Sequence, residues 1–408
     1  MREWHDTVII GGGQAGLAMS YHLRERGREH IVLERKRVAE RWHTERWDSL
    51  RYQFPNRFLR LPGFTYKGDY PDGFAHHSEV TKFVEDYARF IDAPVRCGAE
   101  VVSLREEPDS GGFLIDTNDT VIAASRVVVA TGPFQRPSVP ASSTAFPPHI
   151  FQVHASRYLS PDQLPPGAVL VVGSGASGCQ IAEELYQCGR TVYLSVSRHR
   201  RVPRRYRGRD VVWWFIAMGR MDTTIDSFPG RKMPPSTVVT GVNGGHDVDV
   251  RQFAADGVVV LGRLNGVAEG KLSLADNAEE ILAEADKAYV DFERAADDYA
   301  RTANVDVPGK DDMNSVPNFA PIQPASTLDL KTANITSVVW STGYEFDFGW
   351  LNVPVLNERG APVQKRGVTD CANLYFLGLH WMHTFKSGLL FGVGDDAAYL
   401  ADHITARA

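Results

Sequence analysis

The chain has 408 residues, 43% of them hydrophobic, with 44 basic and 50 acidic side chains. This size is enough for two packed domains and exceeds one ordinary core. The net charge of −6 excludes a long-range basic field for nucleic acid, and no uncharged run reaches membrane-spanning length. Four cysteines without C-x-x-C or metal-type spacing are typical of a reducing compartment. We therefore expect a cytoplasmic protein without a metal site, a signal segment or a membrane anchor.

A predicted βαβ unit opens the chain. Residues 6–10 form an apolar strand, residues 15–26 a helix, and residues 30–33 a second strand that ends at Glu34. Between the first strand and the helix, residues 11–16 read G-x-G-x-x-G, which is typical of a dinucleotide-binding turn.

Each part of this turn has a predicted role. Gly11 permits the tight turn, Gly13 lets the backbone approach a pyrophosphate, and Gly16 lets the helix pack on the strand. The helix N-terminus supplies N–H groups and partial positive charge for the phosphates. Glu34 is placed to bind a pair of ribose hydroxyls, as expected for FAD.

The middle of the chain leads to a second unit of the same kind. The pattern predicts an amphipathic helix over 79–91, a hairpin over 113–122 and a buried strand at 127–129. A proline-rich connection, 133–166, precedes a second βαβ unit that begins at Ala168.

The second turn, residues 173–178, reads G-S-G-A-S-G. The strand that follows its helix ends in Ser197 and Arg198 rather than in an acid, which favours the 2′-phosphate of NADPH. Several arginines follow, and the sequence leaves open which one meets the phosphate; position favours Arg198. The cluster consists of Arg198, Arg200, Arg201, Arg204 and Arg205.

The remainder is predicted as an irregular region 203–250, a charged helix 277–302, a proline- and asparagine-containing loop 305–325, a strand 335–340, and a strand–turn–helix 373–404. The run Trp213-Trp214-Phe215 is open to two interpretations, a substrate pocket or ordinary core.

Three further segments resemble the class B flavin-dependent monooxygenases, which include the flavin-containing monooxygenases and the plant indole-3-pyruvate monooxygenases. Residues 42–62 resemble the segment beside the flavin, and residues 129–132 and 340–344 resemble the paired A-T-G segments that link the domains. His154 and Tyr158 match the end of the family signature F-x-G-x-x-x-H-x-x-x-[YF]. Its first two positions fall on Pro148 and Ile150, so the signature is half present. His154 fits either a functional or a buried structural role.

The resemblance implies an α/β fold with two Rossmann-like domains, the second inserted into the first. The expected domains are 1–150 with 331–408 for FAD, and 151–330 for NADPH, with 203–250 as a substrate-region insertion. It also implies that NADPH reduces the flavin and that O2 then forms a C4a-(hydro)peroxide, which oxygenates a small organic substrate. N- or S-oxygenation, Baeyer–Villiger insertion and oxidative decarboxylation all remain open. The expected partners are that substrate and O2, with no nucleic acid and no membrane; monomer and homodimer are both compatible.

By position in this pattern, Gln53 and His383 are the candidate catalytic residues, because a polar group is needed beside the flavin and an imidazole exchanges protons near neutral pH. A strand-edge role for Gln53 and a packing role for Trp381 stay open. The last helix, expected from about Leu389, is placed to point its N-terminus at the flavin. The expected cofactor-binding residues are Gly11, Gly13, Gln14, Ala15, Gly16, Glu34, Arg35, Trp42, Arg46, Leu50, Val102, Ala130, Thr131, Gly132, Gly173, Ser174, Gly175, Ser177, Gly178, Arg198, Thr342, Gly343, Gly378, Lys386 and Leu389.

Other functions fit the sequence less well. A disulfide reductase needs a cysteine pair near the flavin, whereas Cys179 and Cys188 lie on the second unit's helix. A serine hydrolase needs a G-x-S-x-G elbow, which is absent from the sequence. An NADPH oxidase that releases H2O2, and a non-catalytic FAD- and NADPH-binding sensor, remain as alternatives.

Overall fold

A computed structural model describes residues 3–107, 111–228, 237–309 and 319–407. Parts of the predicted region 203–250 and of the loop 305–325 therefore lie outside the described residues. None of the helices in the described ranges is long and apolar enough to cross a lipid bilayer.

The strands of the described residues are β1 (Glu3–Ile10), β2 (His30–Glu34), β3 (Arg60–Leu61), β4 (Phe64–Thr65), β5 (Val95–Cys97), β6 (Val101–Glu107), β7 (Gly112–Thr117), β8 (Val121–Val129), β9 (Arg136–Pro137), β10 (Phe151–His154), β11 (Ala168–Val172), β12 (Val192–Ser195), β13 (Arg205–Tyr206), β14 (Arg209–Asp210), β15 (Val259–Leu261), β16 (Leu264–Ala268), β17 (Lys271–Leu274), β18 (Thr327–Asp329), β19 (Ile335–Trp340), β20 (Tyr344–Glu345), β21 (Leu351–Asn352) and β22 (Leu374–Phe376).

The α-helices of the same ranges are α1 (Gln14–Glu25), α2 (Glu40–Thr44), α3 (His77–Phe90), α4 (Ala176–Gln187), α5 (Val211–Ala217), α6 (Val250–Ala255), α7 (Ala278–Thr302) and α8 (Val393–Ala406).

The first domain is built on a mixed sheet with the order β21-β6-β7-β8-β1-β2-β5, and β22 also pairs with β8. The pairs β1/β2, β1/β8, β2/β5 and β8/β22 are parallel, whereas β6, β7 and β8 form an antiparallel meander. The central strands are continuous apolar runs because helices α1 and α8 pack together beside them. The first glycine turn therefore has a rigid frame on this side.

The second domain is built on a parallel sheet with the order β10-β19-β11-β12-β15. Strand β19 is the second in this order and lies between β10 and β11. The sequence placed this strand in the first domain, after a boundary at residue 331, and that boundary is wrong. A short apolar strand carries no sign of which sheet it joins, and the pairing decides it.

Two antiparallel segments connect the domains. β9 leaves the first domain and pairs with β20, which returns to it, with Tyr344 opposite Pro137 and Glu345 opposite Arg136. An exposed ion pair of 2.8 Å between Arg136 and Glu345 closes this ribbon. Within the described residues, the chain thus passes between the domains along this ribbon in both directions.

The region 203–250 is more regular than predicted. It contains the hairpin of β13 and β14, helix α5, and the 3-10 turns Arg220–Asp222, Ile225–Ser227 and Val242–Gly244. The final helix also differs, because the 3-10 turn Phe385–Gly388 comes first and α8 begins only at Val393.

Candidate functional site

The first glycine turn joins the end of β1 to α1. Gly11 has a φ of +116°, which side chains rarely adopt, and a Cβ there would lie 2.6 Å from the Ala130 carbonyl oxygen. A Cβ at Gly16 would overlap the carbonyl oxygen of Gly11. Apart from its chain neighbours, a Cβ at Gly13 would meet no atom of the described residues within 4 Å. The fold therefore requires the outer glycines, whereas the space beside the middle one is open to a ligand.

The N-terminus of α1 suits an anion. Gly13 is its N-cap, no side chain caps it, and the first turn carries no acid. The Gln14 side chain donates to the carbonyl oxygen of Gly388 at 2.8 Å. Ala15 is buried, and a Cβ at Gly378 would lie 2.5 Å from its own Cβ. Gln14, Ala15 and Gly378 thus bring the C-terminal segment against this helix end.

Glu34 ends β2 beside the turn, as predicted. Its carboxylate accepts hydrogen bonds from the N–H groups of Gly12 at 2.8 Å and Lys36 at 2.9 Å. These bonds orient the carboxylate at the mouth of the turn. The neighbouring Arg35 is exposed, and its guanidinium forms an ion pair with Glu100 at 3.7 Å.

The second turn repeats the geometry of the first. Gly173 has a φ of +106°, and a Cβ there would overlap the carbonyl oxygen of Ser341. A Cβ at Gly178 would overlap Gly173 in the same way. A Cβ at Gly175 would likewise meet no atom of the described residues within 4 Å, apart from its chain neighbours. Gly175 is the uncapped N-cap of α4, so this turn fits a second pyrophosphate equally well.

Ser174 and His199 stiffen the second turn. Ser174 is fully buried, and its hydroxyl accepts from the N–H of Ser197 at 3.1 Å. The Nδ1 of His199 donates to the Ser174 carbonyl oxygen at 2.8 Å. Burial lowers the pKa of His199, which keeps the ring neutral. Ser177 is half-buried in the first turn of α4.

The structure divides the arginine cluster that follows β12. Arg201 is buried against Asp249 and Asp286, and Arg204 is buried against Asp210. The Arg205 guanidinium donates to the carbonyl oxygens of Gly244 and Gly245.

The two other arginines of the cluster are Arg198 and Arg200. Arg198 is exposed and Arg200 is half-buried, and neither pairs with a carboxylate within the described ranges. Arg198 lies directly after the strand, where a 2′-phosphate is expected.

The paired A-T-G segments flank the two turns. Ala130 follows β8 beside Gly11, and its N–H donates to the Ile10 carbonyl oxygen at 2.8 Å. Thr131 and Gly132 continue this segment, and the side-chain N–H group of Gln135 donates to both. Ser341 follows β19 beside Gly173, ahead of Thr342 and Gly343. The Thr342 hydroxyl donates to the carbonyl oxygen of Ser138.

His154 is a buried, fully bonded ring at the end of β10. Its Nδ1 accepts from the Ser156 N–H at 3.1 Å, which places the proton on Nε2, and Nε2 donates to the Gly343 carbonyl oxygen at 3.1 Å. Burial lowers the pKa of His154, so the ring is neutral at pH 7. This geometry gives His154 a structural role, which is to tie the second sheet to the connecting segment.

The sequence analysis did not single out two residues, His380 and Asn56. His380 stacks edge-on against Phe134 at 5.2 Å, and Phe134 in turn against Tyr344 at 5.0 Å. Asn56 is buried, donates to the Tyr70 carbonyl oxygen, and has a side-chain oxygen without a partner in the described residues. The signal that could have found Asn56 is a polar residue between the apolar residues Phe54 and Phe58.

The segment predicted to flank the flavin lies between the two domains. The Arg46 guanidinium lies 4.7 Å from the Trp42 ring centroid, and burial lowers its pKa. Leu50 is buried and packs with the second domain's core. Val102 lies apart from them on β6, where it is 53% exposed.

Gln53 and His383 are half-buried. Residues of the region 203–250 form a hydrogen bond to the main chain of each. The carbonyl oxygen of Gln53 accepts from the Arg204 guanidinium at 2.8 Å. The carbonyl oxygen of His383 accepts from the N–H of Ile225 at 3.4 Å, and its N–H donates to the Ser387 hydroxyl at 3.1 Å. No hydrogen bond within the described ranges occupies either side chain.

The C-terminal segment differs in detail from its prediction. The Lys386 ammonium pairs with Asp222 at 2.8 Å and Asp395 at 2.7 Å, so its charge is already balanced. Leu389 follows the 3-10 turn and precedes α8, whose first turn contains acids. The expected helix N-terminus at Leu389 is therefore wrong, and the turn Phe385–Gly388 lies against α1 in its place.

The aromatic run on α5 is mainly core. Trp214 is fully buried and donates to the Tyr206 carbonyl oxygen at 2.9 Å. Phe215 is 8% exposed, and its ring lies 6.4 Å from that of Phe385. The core interpretation holds for Trp214, whereas Phe215 extends toward the C-terminal segment.

Cysteine and metal chemistry find little support in the structure. The four cysteines are free, and Cys179 is buried with its pKa raised by that burial. In the ranges that the structure describes, no group of three or more His, Cys, Asp or Glu residues is arranged to hold a metal ion.

Comparison with known proteins gives the family. A model of the family described as pyridine nucleotide-disulphide oxidoreductase matches residues 8–212. An uncharacterized oxidoreductase, CzcO-like, from Geobacillus kaustophilus is 35% identical over 99% of both chains. The probable indole-3-pyruvate monooxygenase YUCCA1 of Arabidopsis thaliana is 32% identical over 47% of each chain. A flavin-containing monooxygenase from Stenotrophomonas maltophilia has the same fold, with a TM-score of 0.68, 18% identity and 99% of both chains covered.

The chain belongs to the pyridine nucleotide-disulphide oxidoreductase family. Within it, the predicted resemblance to class B flavin monooxygenases is confirmed, as are the α/β fold with Rossmann-type domains and the class of flavin-dependent oxidoreductase.

Proposed function

We propose that this chain binds FAD at the first turn and NADPH at the second, and uses O2 to oxygenate a small organic substrate. One observation carries the proposal. Both turns combine outer glycines that the fold requires with a middle glycine whose Cβ position is open among the described residues, at the uncapped N-terminus of a helix. The first domain would hold FAD and the second NADPH.

The residues around the turns would divide the binding. Gly13 and the α1 N-terminus hold the FAD pyrophosphate, and the oriented carboxylate of Glu34 accepts from ribose hydroxyls. Gly175 and the α4 N-terminus hold the NADPH pyrophosphate. Arg198, exposed and without an acidic partner in the described residues, binds the 2′-phosphate, for which a guanidinium is well suited.

Bound FAD would supply the redox chemistry that links NADPH oxidation to O2. The overall reaction converts NADPH, a proton, O2 and the substrate into NADP+, water and the oxygenated product. NADPH and the substrate each supply two of the four electrons. The chain itself orients the reactants and excludes water from them.

Gln53 and His383 are the proposed polar groups facing the reaction. Their side chains are half-buried, and Arg204 and Ile225 fix their backbones from the insertion. Gln53 would donate a hydrogen bond to a reacting oxygen, and His383 would hold or release a proton. The variant His383→Ala is expected to lower the coupling of NADPH use to product in a pH-dependent way. Wild-type coupling of this variant at every pH would remove His383 from this role.

Rapid mixing of the NADPH-reduced protein with O2 tests the function. A monooxygenase is expected to show a long-lived absorbance phase that matches neither reduced nor oxidised flavin, with little H2O2 released. A direct return to the oxidised spectrum, with H2O2 equal to the NADPH consumed, would identify an oxidase. A protein that binds FAD and consumes no NADPH would be the non-catalytic sensor.

A further inference from the structure

One stretch of the insertion, the bridging segment (residues 238–246), packs against both domains. On one side it contacts α4, the helix that begins at the second glycine turn. The buried side chain of Gln180 on α4 donates to the Val239 carbonyl oxygen at 2.7 Å. On the other side, a Cβ at Gly241 would lie only 2.4 Å from the Tyr52 carbonyl oxygen. The bridging segment therefore connects α4 to the part of the chain that is predicted to lie beside the flavin.

The end of the bridging segment is fixed to α4 by His246. Its Nε2 lies 2.6 Å from a carboxylate oxygen of Glu183, a residue that is 6% exposed, and its Nδ1 lies 3.3 Å from the Val242 carbonyl oxygen. An ionised carboxylate and a carbonyl oxygen can only accept hydrogen bonds. Because a neutral imidazole has a single N–H group, both bonds form only when the His246 ring carries two protons and a positive charge.

The turn that His246 closes has a backbone conformation that needs side-chain support. Asn243, Gly244 and Gly245 have φ angles of +52°, +81° and +79°, so three successive residues lie in the left-handed region. The Arg205 guanidinium donates to the carbonyl oxygens of the two glycines at 2.7 and 2.8 Å. Loss of a hydrogen bond from His246 would therefore weaken a turn that the backbone does not favour by itself.

The charges around His246 favour its protonated form. The hydrogen bond to Glu183 raises the pKa of His246 above the ordinary 6.5, against the effect of burial, and the neighbouring Asp247 also raises it. Asp247 in turn accepts from the Arg204 N–H at 2.6 Å and from the Tyr289 hydroxyl at 3.0 Å. Because the folded pKa is raised, both hydrogen bonds of the ring are complete below pH 6.5. One of them is lost as the pH rises through the folded pKa.

We propose that His246 is a positioning residue, whose charged ring fixes the bridging segment and thereby aligns α4 with the chain beside the flavin. This inference rests on the proposed function. Gly175, at the N-terminus of α4, would still bind the nucleotide after the proton is lost, because Glu183 lies roughly two turns further along the helix. The expected consequence is poorer alignment of NADPH with the flavin at unchanged affinity. A displacement of about 1 Å can lower a reaction rate up to roughly a hundredfold.

The first measurement is hydrogen–deuterium exchange of residues 238–246 in the FAD-loaded protein from about pH 6 to about pH 9, corrected for the intrinsic effect of pH. We expect protection in the wild type to fall at least about fivefold as the pH rises, because one hydrogen bond is lost. Glu183→Gln removes the charge that holds the proton and should move this fall to lower pH. His246→Gln can still donate to Glu183 but does not titrate, so its protection should not change with pH. His149→Gln, which removes an exposed histidine, is the matched control and should behave as the wild type.

The second measurement is the rate at which saturating NADPH bleaches the flavin absorbance in the absence of O2, together with the Kd of NADP+. We expect the rate in the wild type to fall at least about threefold over the pH range in which protection falls, with the Kd unaltered. His246→Gln should remove this pH dependence, and Glu183→Gln should move it to lower pH. This division between rate and affinity is the result that a merely structural role would not produce.

Protection that stays constant in the wild type from about pH 6 to about pH 9 would overturn the inference. So would a fall in protection that persists in His246→Gln. A bleaching rate that does not change when protection is lost would overturn it as well, because the bridging segment would then position nothing. Exchange needs no turnover. A protein that never consumes NADPH would therefore refute the proposed function, and the exchange result would still decide whether His246 fixes the segment.

Discussion

Replacement of Gly13 by alanine should separate flavin binding from stability. Gly13 has φ −91° and ψ −172°, an extended conformation that alanine also adopts. Its Cβ position meets no atom of the described chain within 4 Å, apart from its neighbours. We therefore expect the free energy of unfolding of the flavin-free Gly13→Ala protein to exceed that of the wild type by at most about 1 kcal/mol, because alanine restricts the unfolded chain.

The same methyl group would occupy the space of the pyrophosphate. Loss of two charge-assisted hydrogen bonds at about 1.5 kcal/mol each weakens FAD binding roughly one hundredfold. The larger side chain of Gly13→Val should expel FAD altogether. Gly16→Ala is the matched contrast, since its Cβ overlaps the Gly11 carbonyl oxygen and forces helix and strand apart, at a cost of about 3 kcal/mol.

The assay combines the flavin-to-protein absorbance ratio with urea unfolding of the flavin-free proteins. Gly175→Ala tests the equivalent position of the second turn, where we expect full FAD content and a raised KM for NADPH. A Gly13→Ala protein that keeps wild-type FAD affinity would refute the reasoning. So would a Gly16→Ala protein as stable as the wild type.

Three further predictions follow from the arginines and the buried histidines. Arg198→Ala should lower kcat/KM for NADPH at least about tenfold and leave NADH nearly unaffected, because only NADPH carries the 2′-phosphate; equal losses with both nucleotides would contradict the assignment. Arg204→Met should destabilise the protein by about 3–5 kcal/mol in urea unfolding, since Asp210 loses its buried partner; a loss no larger than that of Arg205→Met would contradict it. Burial holds the pKa of His154 and His199 below the ordinary 6.5. As the pH falls, these histidines therefore take up protons at a higher pH in the unfolded chain than in the folded chain. Stability should be complete above pH 6.5 and fall as the pH drops toward the folded pKa values, and His154→Gln should flatten this slope; an unchanged slope would exclude His154.

The sequence predicted the βαβ units well because each part of them has a local cause. Strand β2 ends at Glu34 as predicted, and α1 was expected over 15–26 and found over Gln14–Glu25. The domain boundary failed at β19, because pairing with β10 and β11 is a long-range event that no local pattern reports. The start of α8 was misplaced for a related reason, since the turn Phe385–Gly388 is held by contacts with α1 and with the insertion.

The candidate site shows the same division. The glycine turns were recognisable because a close backbone approach and a positive φ leave glycine as the residue of choice. The arginine cluster was not separable by sequence, since all its members share one chemistry. The aspartates that pair with Arg201 and Arg204 come from residues 210, 249 and 286, and the fold brings them together.

The sequence by itself determined two G-x-G-x-x-G turns, their order, an acid after the first and an arginine after the second. These features are local, because they depend on backbone geometry and residue type within one βαβ unit. Only the tertiary structure decided which arginines are already paired, which sheet receives β19, and that His154 bonds to Gly343. Charge pairing, strand pairing and burial depend on residues far apart in the chain, and folding alone sets those distances.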